Sequence, residues 1–236
     1  MKLFHRIAEN IRQDRRTLKA LTFRQKIRFF MDYYRWLFLL FLICLLFLYY
    51  IGDMIYQSRQ TIDLQGFFIN DRQNLFPAGT LADRFSDYQN TQPGHRIAFD
   101  DSLFIDLDSS SEYDAASQSK LIAFVAAKEL DFLVAPESLA RRYARSFSLL
   151  DLSQVLPEDL KEDLKEDFYI AADGTGVKKA CGLDLSRSQF LQDSPVYDHG
   201  ESYYLLALSY TPHRDALISF IRFAYQQPPE SGRSPR

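Results

Sequence analysis

Histidine, serine and cysteine could give this 236-residue chain hydrolytic chemistry, but their spacing does not favour it. The sequence has no Gly-x-Ser-x-Gly, Cys-x-x-Cys or His-Glu-x-x-His motif and no glycine-rich loop for phosphate. Three histidines, His95, His199 and His213, fall in segments that we predict to be loops. A hydrolase would need one of them beside a serine or cysteine in space. We therefore expect a non-catalytic protein and keep a cell-envelope hydrolase as an alternative.

One short acidic pattern has the spacing of calcium ligands. Asp106-x-Asp108-x-Ser110 matches the first three ligand positions of a calcium-binding loop. Ser111 replaces the glycine that such a loop needs for its turn, and Ser117 replaces the bidentate glutamate. We therefore predict no metal site and no cofactor.

The longest apolar run extends from Trp36 to Ile51 and contains no charged residue. Seven Leu, three Phe and two Ile over residues 37–51 favour insertion into a bilayer by about 5 kcal/mol. We predict a single uncleaved transmembrane helix over residues 36–56, with aromatic flanks at both interfaces, rather than a buried soluble helix or a cleaved signal peptide. The residues assigned to this anchor are Trp36, Leu37, Phe38, Leu42, Leu45, Phe47, Tyr49, Tyr50 and Ile51.

Charge asymmetry predicts the orientation of the anchor. Residues 1–36 contain ten Lys and Arg and three acidic residues, a net charge of +7. The rest of the chain holds 18 of the 28 basic and 28 of the 31 acidic residues, a net charge of −10. By the positive-inside rule, the N-terminus is cytoplasmic and residues 57–236 are extracytoplasmic, which makes this a single-pass cell-membrane protein. The acidic outer part disfavours nucleic acid as a partner.

The cytoplasmic segment, residues 1–35, has the pattern of a basic amphipathic helix. Leu3, Phe4, Ile7 and Ile11 share one helical face, and arginines occupy the others. This pattern is typical of a helix that lies on an anionic leaflet, with a solvated basic tail as the alternative.

The two cysteines cannot form a disulfide within the outer part. Cys44 lies inside the predicted anchor, and Cys181 is the other cysteine of the chain. We interpret Cys181 as a small buried hydrophobic residue, with a reactive thiol or a dimer link as alternatives.

Residues 57–227 alternate between strand and helix patterns, and we predict a doubly wound α/β domain with a parallel sheet. Capping-box spacing at Ser109 and Glu112 predicts the start of one helix, which buries Leu121 and Ile122. Residues 96–108 form one long strand or a hairpin. The predicted elements are strands over 61–70 and 96–108, a helix over 75–88, a helix from 109 to 130, a strand at 131–137, helices over 138–147 and 157–167, a hairpin across Asp173 and Gly174, a strand at 202–210 and a final helix after Thr211 and Pro212. Residues 228–236 are predicted to be disordered.

Two stretches resemble known bacterial proteins. KIRFFMDYYRW before the apolar run resembles the lead-in of a group of single-span bacterial membrane proteins. Leu121 to Pro157 resembles the first lobe of extracellular solute-binding proteins, with Lys128 to Asp131 at the helix-to-strand step, where that family has glycine, and Leu149 to Ser153 at the exit. The resemblance covers residues 62–157 and 203–226. It implies a membrane-anchored, extracytoplasmic three-layer α/β domain like one lobe of a periplasmic-binding-protein fold.

Residues 158–202, between the two matching stretches, are too few to hold the second lobe of a complete solute-binding protein. We therefore expect an anchored binding module, part of an envelope or transporter assembly, that contacts a protein partner as well as the lipid bilayer. A small-solute receptor is the alternative, and the sequence does not identify its ligand.

Binding loops of an open α/β sheet lie beyond the carboxyl ends of its strands. The residues predicted there to bind a partner are Asn70, Asp71, Asp106, Asp108, Glu137 and Ser138. Because most are acidic, we expect a cationic or protein partner rather than a free anion. The equally favoured alternative is that these carboxylates only cap their own helices.

Overall fold

The computed structural model describes residues 36, 39–54, 60–106, 109, 111–172, 174–197 and 200–226. The chain divides into two compact units, Met1–Arg59 and Gln60–Arg236. In the first unit, residues 39–54 form helix α1, whose apolar side chains are largely exposed; Leu42 is 47% and Phe47 62% exposed. Among the residues described, no helix combines the length and the apolar character needed to cross a membrane. Leu37, Phe38 and the predicted amphipathic segment lie outside the described residues.

The second unit contains six strands and several helices among its described residues. The strands are β1 (Thr61–Ile69), β2 (His95–Leu103), β3 (Phe132–Pro136), β4 (Phe168–Ala172), β5 (Lys178–Asp184) and β6 (Tyr203–Ala207). The helices are α2 (Ala78–Gln89), α3 (Glu112–Ala127), α4 (Glu137–Ser146), α5 (Leu152–Val155), α6 (Glu158–Asp163), α7 (Gln189–Gln192), α8 (Arg214–Ala224) and a 3-10 turn at Leu185–Arg187. Every strand and helix predicted between residues 61 and 224 is present, with shifts of a few residues at some ends.

The strands form one mixed sheet with the order β2-β1-β3-β6-β5-β4. Strand β1 pairs in parallel with β2 and β3, whereas the β3–β6, β6–β5 and β5–β4 pairs are antiparallel. The prediction of a parallel sheet is therefore wrong for three of the five strand pairs. The short β4–β5 hairpin reverses the chain without a crossover helix, and this leaves β6 to enter beside β3 in the opposite direction.

Helices cover both faces of the sheet, so the domain has the three layers that were predicted. The first core packs α2 and α8 against one face, where Phe85 and Phe220 meet edge to face with ring centroids 5.2 Å apart. The second core packs α3 and α4 against the other face through Leu121 and Tyr143. Because each core encloses a full sheet face, apolar burial can stabilise the domain without a disulfide.

A bulge in β2 explains an error in the predicted pattern of that strand. While β1 advances from Phe67 to Ile69, its partner advances from Asp100 to Leu103, so β2 gains one residue. This residue reverses the side-chain alternation. Residues predicted to share one face therefore divide between the cores: Ile97 and Phe99 join the first, Leu103 and Ile105 the second. The strand is continuous across Asp100 and Asp101, which excludes the hairpin alternative.

The ends of α3 differ from the predicted ones. Its N-cap is Ser111, whose hydroxyl accepts from the Asp114 N–H at 3.1 Å, and not Ser109. Ile122 is 58% exposed rather than buried, because Leu121, one position earlier, already faces the sheet. At the other end Lys128 adopts the left-handed conformation with φ of 60°, the geometry that glycine usually provides.

Cys181 is buried, as the sequence predicted, on the second core side of β5. Its Sγ lies 3.6 Å from the carbonyl oxygen of Tyr169. Burial raises the pKa of the thiol, although a backbone hydrogen bond from Ala171 lowers it in part. A protonated, enclosed thiol is poorly nucleophilic, so the position has a packing role.

Candidate functional site

A cleft of about 420 Å³ opens at one end of the sheet, which we call the cleft end. The carboxyl ends of β1, β2 and β3 meet here, together with the first residues of the antiparallel β6. We call the opposite end, where β1 begins, the basal end. The residues that line the cleft are Asn70, Arg72, Gln73, Leu75, Ile105, Asp106, Ser138, Leu139, Tyr197, Glu201 and Tyr203.

The order of the strands accounts for the position of the cleft. Helix α2, which follows β1, packs in the first core, whereas α4, which follows β3, packs in the second. The chain therefore leaves two neighbouring strands in opposite directions and opens a crevice between them, as at the ligand sites of open α/β sheets.

Asn70 connects two loops at the cleft. It ends β1 in the left-handed conformation with φ of 63°, which asparagine tolerates better than most residues. Its side-chain amide donates to the Ile105 carbonyl at 3.0 Å and accepts from the Ile105 N–H at 2.7 Å. The predicted binding residue therefore lines the cleft, but its amide is used to join the β1 and β2 loops.

Asp71 does not line the cleft, although we predicted that it would bind a partner. Its side chain is 7% exposed, and its two oxygens accept from the N–H groups of Leu75 at 2.6 Å and Phe76 at 2.7 Å. Burial raises the pKa of this carboxyl above its ordinary value, and the two backbone hydrogen bonds offset only part of that effect. Asp71 thus fits the alternative interpretation, in which a carboxylate caps its own turn.

Asp106 lies at the rim of the cleft with an exposed side chain. Its N–H donates to Asp114 Oδ1 at 3.3 Å, which ties the β2 loop to the first turn of α3. Hydrogen bonds from Ser109 and Ser111 hold the pKa of Asp114 below its ordinary value. Asp114 thus anchors the loop, and the side chain of Asp106 is exposed at the rim. Asp108 lies outside the described residues.

The N-terminus of α4 supplies one wall of the cleft. Ser138 and Leu139 line it, and the N-cap position is Pro136, which offers no side-chain cap. Glu137 pairs instead with Arg141 along the helix surface, with Oε1 and Nη2 2.5 Å apart. Of the two residues predicted here, Ser138 faces the cleft and Glu137 is held by its own helix.

Sequence reasoning missed the opposite wall, which Tyr197, Glu201 and Tyr203 form. The buried Tyr203 hydroxyl lies 3.2 Å from Glu201 Oε2 and 3.3 Å from the Asn70 carbonyl, and the Tyr197 hydroxyl donates to the Glu201 carbonyl at 3.2 Å. Burial, and then the negative charge of Glu201, raises the pKa of Tyr203. A parallel β6 would have begun at the basal end, so the wrong strand direction hid these residues.

Two histidines lie at the basal end and pair with aspartates. His213 Nδ1 is 3.0 Å from Oδ2 of the buried Asp131, which also accepts from the Thr211 hydroxyl and the Gln65 N–H. His95 Nδ1 is 2.6 Å from Asp63 Oδ1. Neither described histidine is hydrogen-bonded to a serine or cysteine side chain. His199 lies outside the described residues.

Metal-binding geometry is also absent from the described part of the chain, where no three His, Cys, Asp or Glu side chains are grouped to hold an ion.

The chain thus contains a three-layer α/β domain with a polar crevice at the carboxyl ends of its parallel strands. No protein family model, no curated protein sequence and no solved structure matches it.

Proposed function

We propose that this chain is a membrane-anchored, extracytoplasmic binding module, non-catalytic, whose cleft receives a positively charged group of a protein partner in an envelope assembly. The cleft itself carries the proposal. It lies where open α/β sheets bind their ligands, and it combines exposed carboxylates with tyrosine rings.

The charges and rings of the cleft support a cationic group. Asp106 and Glu201 have exposed side chains at the rim, and Arg72 is the cation among the lining residues. The rings of Tyr197 and Tyr203 stand beside Glu201. A lysine or arginine side chain can pair with a carboxylate and lie over a tyrosine face at the same time.

The open form of the cleft supports a partner surface rather than an enclosed solute. The described part of the domain contains one sheet with helices on both faces, without a second lobe to close over a ligand. A partner protein would supply the missing cover.

The apolar run Trp36–Ile51 and the charge difference across it support the anchor and its orientation. Replacing Leu42 and Leu45 with arginine costs roughly 3 kcal/mol each at a membrane centre, enough to cancel the insertion free energy. The double variant should leave the membrane in alkaline carbonate. If it stays, the apolar run is not what holds the chain there.

The partner is tested by photo-crosslinking in intact cells. A benzophenone amino acid at Gln73, which lines the cleft, should yield a defined protein adduct that weakens in the Glu201→Gln variant. The matched control places the same probe at Ala123, which is exposed on α3. Equal adducts from both positions, or adducts indifferent to Glu201, would refute the cleft as the contact.

A small-solute receptor is the second candidate, because the cleft volume falls within the range of roughly 300–1,000 Å³ that is typical of ligand pockets. A solute that binds the folded state must raise its melting temperature. Screening cationic and neutral polar solutes against the purified full chain should give no shift if the partner is a protein. A saturable shift that Glu201→Gln abolishes would favour the receptor.

A further inference from the structure

We propose that the basal end of the domain docks on anionic phospholipid headgroups through a basic patch formed by Arg142, Arg145, Lys178 and Lys179. We call these four residues the basal patch. The proposal rests on the membrane anchor proposed above, because it specifies which end of the domain meets the bilayer.

The topology brings the patch together from two elements. Strand β3 ends at the cleft, so α4, which follows it, runs back and brings Arg145 to the basal end. Strands β4 and β5 are joined by a turn at the same end, where Ala172 pairs with Lys178. The turn abuts the helix: a Cβ on Gly174 would lie 3.1 Å from the Arg145 carbonyl oxygen.

Three cations of the patch, Arg142, Arg145 and Lys178, are exposed, and none makes an ion pair with a described residue. Lys179 is half-buried and already has an interaction partner. One carboxylate of this region, that of Asp151, is already engaged, because it accepts from Ser153 and Gln154. Asp173 lies outside the described residues.

An aliphatic side chain stands beside these cations. Residues 174–177 of the β4–β5 turn are all exposed, and Val177, next to Lys178, is 60% exposed. At a bilayer surface, basic residues can pair with anionic headgroups while a neighbouring aliphatic side chain reaches the acyl chains beneath them.

The connection to the anchor favours lipid over other anionic partners. Strand β1 begins at Thr61, at the basal end, and residues 57–60 separate it from the predicted transmembrane span. Four residues reach roughly 15 Å when extended, so a bilayer surface would remain within that distance of the start of β1. Tethering of this kind gives a high effective concentration of headgroups at the patch.

Docking at the basal end would also orient the cleft. The cleft-end carboxylates Asp106 and Glu201 would face away from the like-charged membrane, and the cleft would be open to a partner. The two ends of the sheet would thus have separate roles, one toward lipid and one toward protein.

Hydrogen–deuterium exchange of the full chain in lipid nanodiscs tests the proposal. In discs with about 30% phosphatidylglycerol, residues 141–147 and 174–180 should exchange more slowly than in pure phosphatidylcholine discs, since each basic residue near an anionic surface contributes a roughly fivefold preference. Raising the ionic strength to about 0.5 M shortens the screening length to roughly 4 Å and should remove the difference.

Charge reversal identifies the residues. In the triple variant Arg142→Glu, Arg145→Glu and Lys178→Glu, the equilibrium constant for docking should fall by roughly a hundredfold. Its backbone amides should then exchange at the same rate in both kinds of disc. Two single charge reversals form a matched pair. Arg145→Glu should weaken the protection. Lys165→Glu should not, because Lys165 is exposed at the cleft end, just before β4. Exchange within β3, residues 132–136, reports in the same data whether each variant is folded.

Three results would overturn the proposal: equal exchange of the wild-type chain in both discs, protection that persists in the triple variant, or protection in neutral discs alone. Loss of the chain from the discs would instead reject the anchor, and the docking with it. Retention without protection would reject the docking alone and leave the anchor and the cleft standing.

Discussion

Both ends of the sheet bury one aspartate against backbone N–H groups, and the cleft end also exposes an aspartate at its rim. At the basal end Asp131 is buried beneath Gln65, Thr211 and His213, and its oxygens are fully occupied. At the cleft end both oxygens of Asp71 are occupied in the same manner, whereas the side chain of Asp106, at the rim of the cleft, is exposed. The comparison teaches that residue type alone does not show whether backbone N–H groups already use the oxygens of an aspartate at a loop.

Asp131→Ala should give the largest effect. It leaves the Gln65 N–H, the Thr211 hydroxyl and His213 without their buried partner, which should cost about 3–5 kcal/mol. Urea unfolding of the full chain in detergent, followed by circular dichroism, measures the loss. The control is Glu129→Ala, an exposed neighbour that should change stability by less than about 0.5 kcal/mol. Similar values for the two variants would show that the basal network does not hold the fold.

Asp71→Ala should lower the free energy of unfolding by less, about 1–3 kcal/mol, because it leaves two backbone N–H groups without an acceptor instead of breaking a whole network. The same unfolding measurement applies. Asp106→Ala is the matched control at the cleft end and should leave stability nearly unchanged, since its carboxylate is exposed. An equal loss in both variants would erase the distinction between buried and exposed carboxylates.

Lys128→Gly should stabilise the domain by about 1 kcal/mol, because glycine adopts the left-handed conformation without the strain that a side chain brings. Asn90→Gly, at the corresponding position after α2 with φ of 54°, should gain less, since asparagine already tolerates that conformation. Melting temperatures of the two variants provide the test, and a loss at Lys128 would contradict it.

The smallest effect concerns pH, and its sign differs between two aspartates. Burial raises the pKa of Asp71, so its favourable contribution is complete below the unfolded pKa and is lost as pH rises through the folded one. Burial also acts to raise the pKa of Asp100, but hydrogen bonds from Lys120 and Ser102 reverse this and lower it. Its contribution is present above the unfolded pKa and is lost as pH falls through the folded one.

Urea unfolding from pH 3 to pH 7 separates the two signs. The stability advantage of the wild type over Asp71→Asn should shrink as pH rises, whereas its advantage over Asp100→Asn should grow. The same trend in both comparisons would mean that burial does not dominate at Asp71.

Periodicity predicted most of the fold because burial on a regular element repeats in the sequence. The buried α8 residues Leu217, Phe220 and Ile221 were all predicted, as were strands β1, β3 and β6. The direction of a strand within the sheet leaves no such periodic pattern in the sequence. It depends on which edge a hairpin leaves free, so the entry of β6 beside β3 could not be predicted from local pattern.

Three of the eleven residues that line the cleft could be predicted, for a similar reason. Asn70, Asp106 and Ser138 were found because loops after parallel strands converge at one edge. Whether a carboxylate is free or capped depends on individual N–H groups within a few ångströms, which residue type does not encode. Asp71 and Glu137 were therefore predicted to bind a partner, although each is engaged within its own loop or helix.

The central claim, that the cleft receives a cationic group, predicts an order among charge variants. The yield of adduct from the probe at Gln73, measured in intact cells, should be highest in the Arg72→Glu variant and lower in the wild type. It should be lower again in Glu201→Gln and lowest in Glu201→Lys. Lys165→Glu, which alters net charge outside the cleft, should match wild type. This order would establish that cleft charge selects the partner, and equal yields or the reverse order across folded variants would contradict the account.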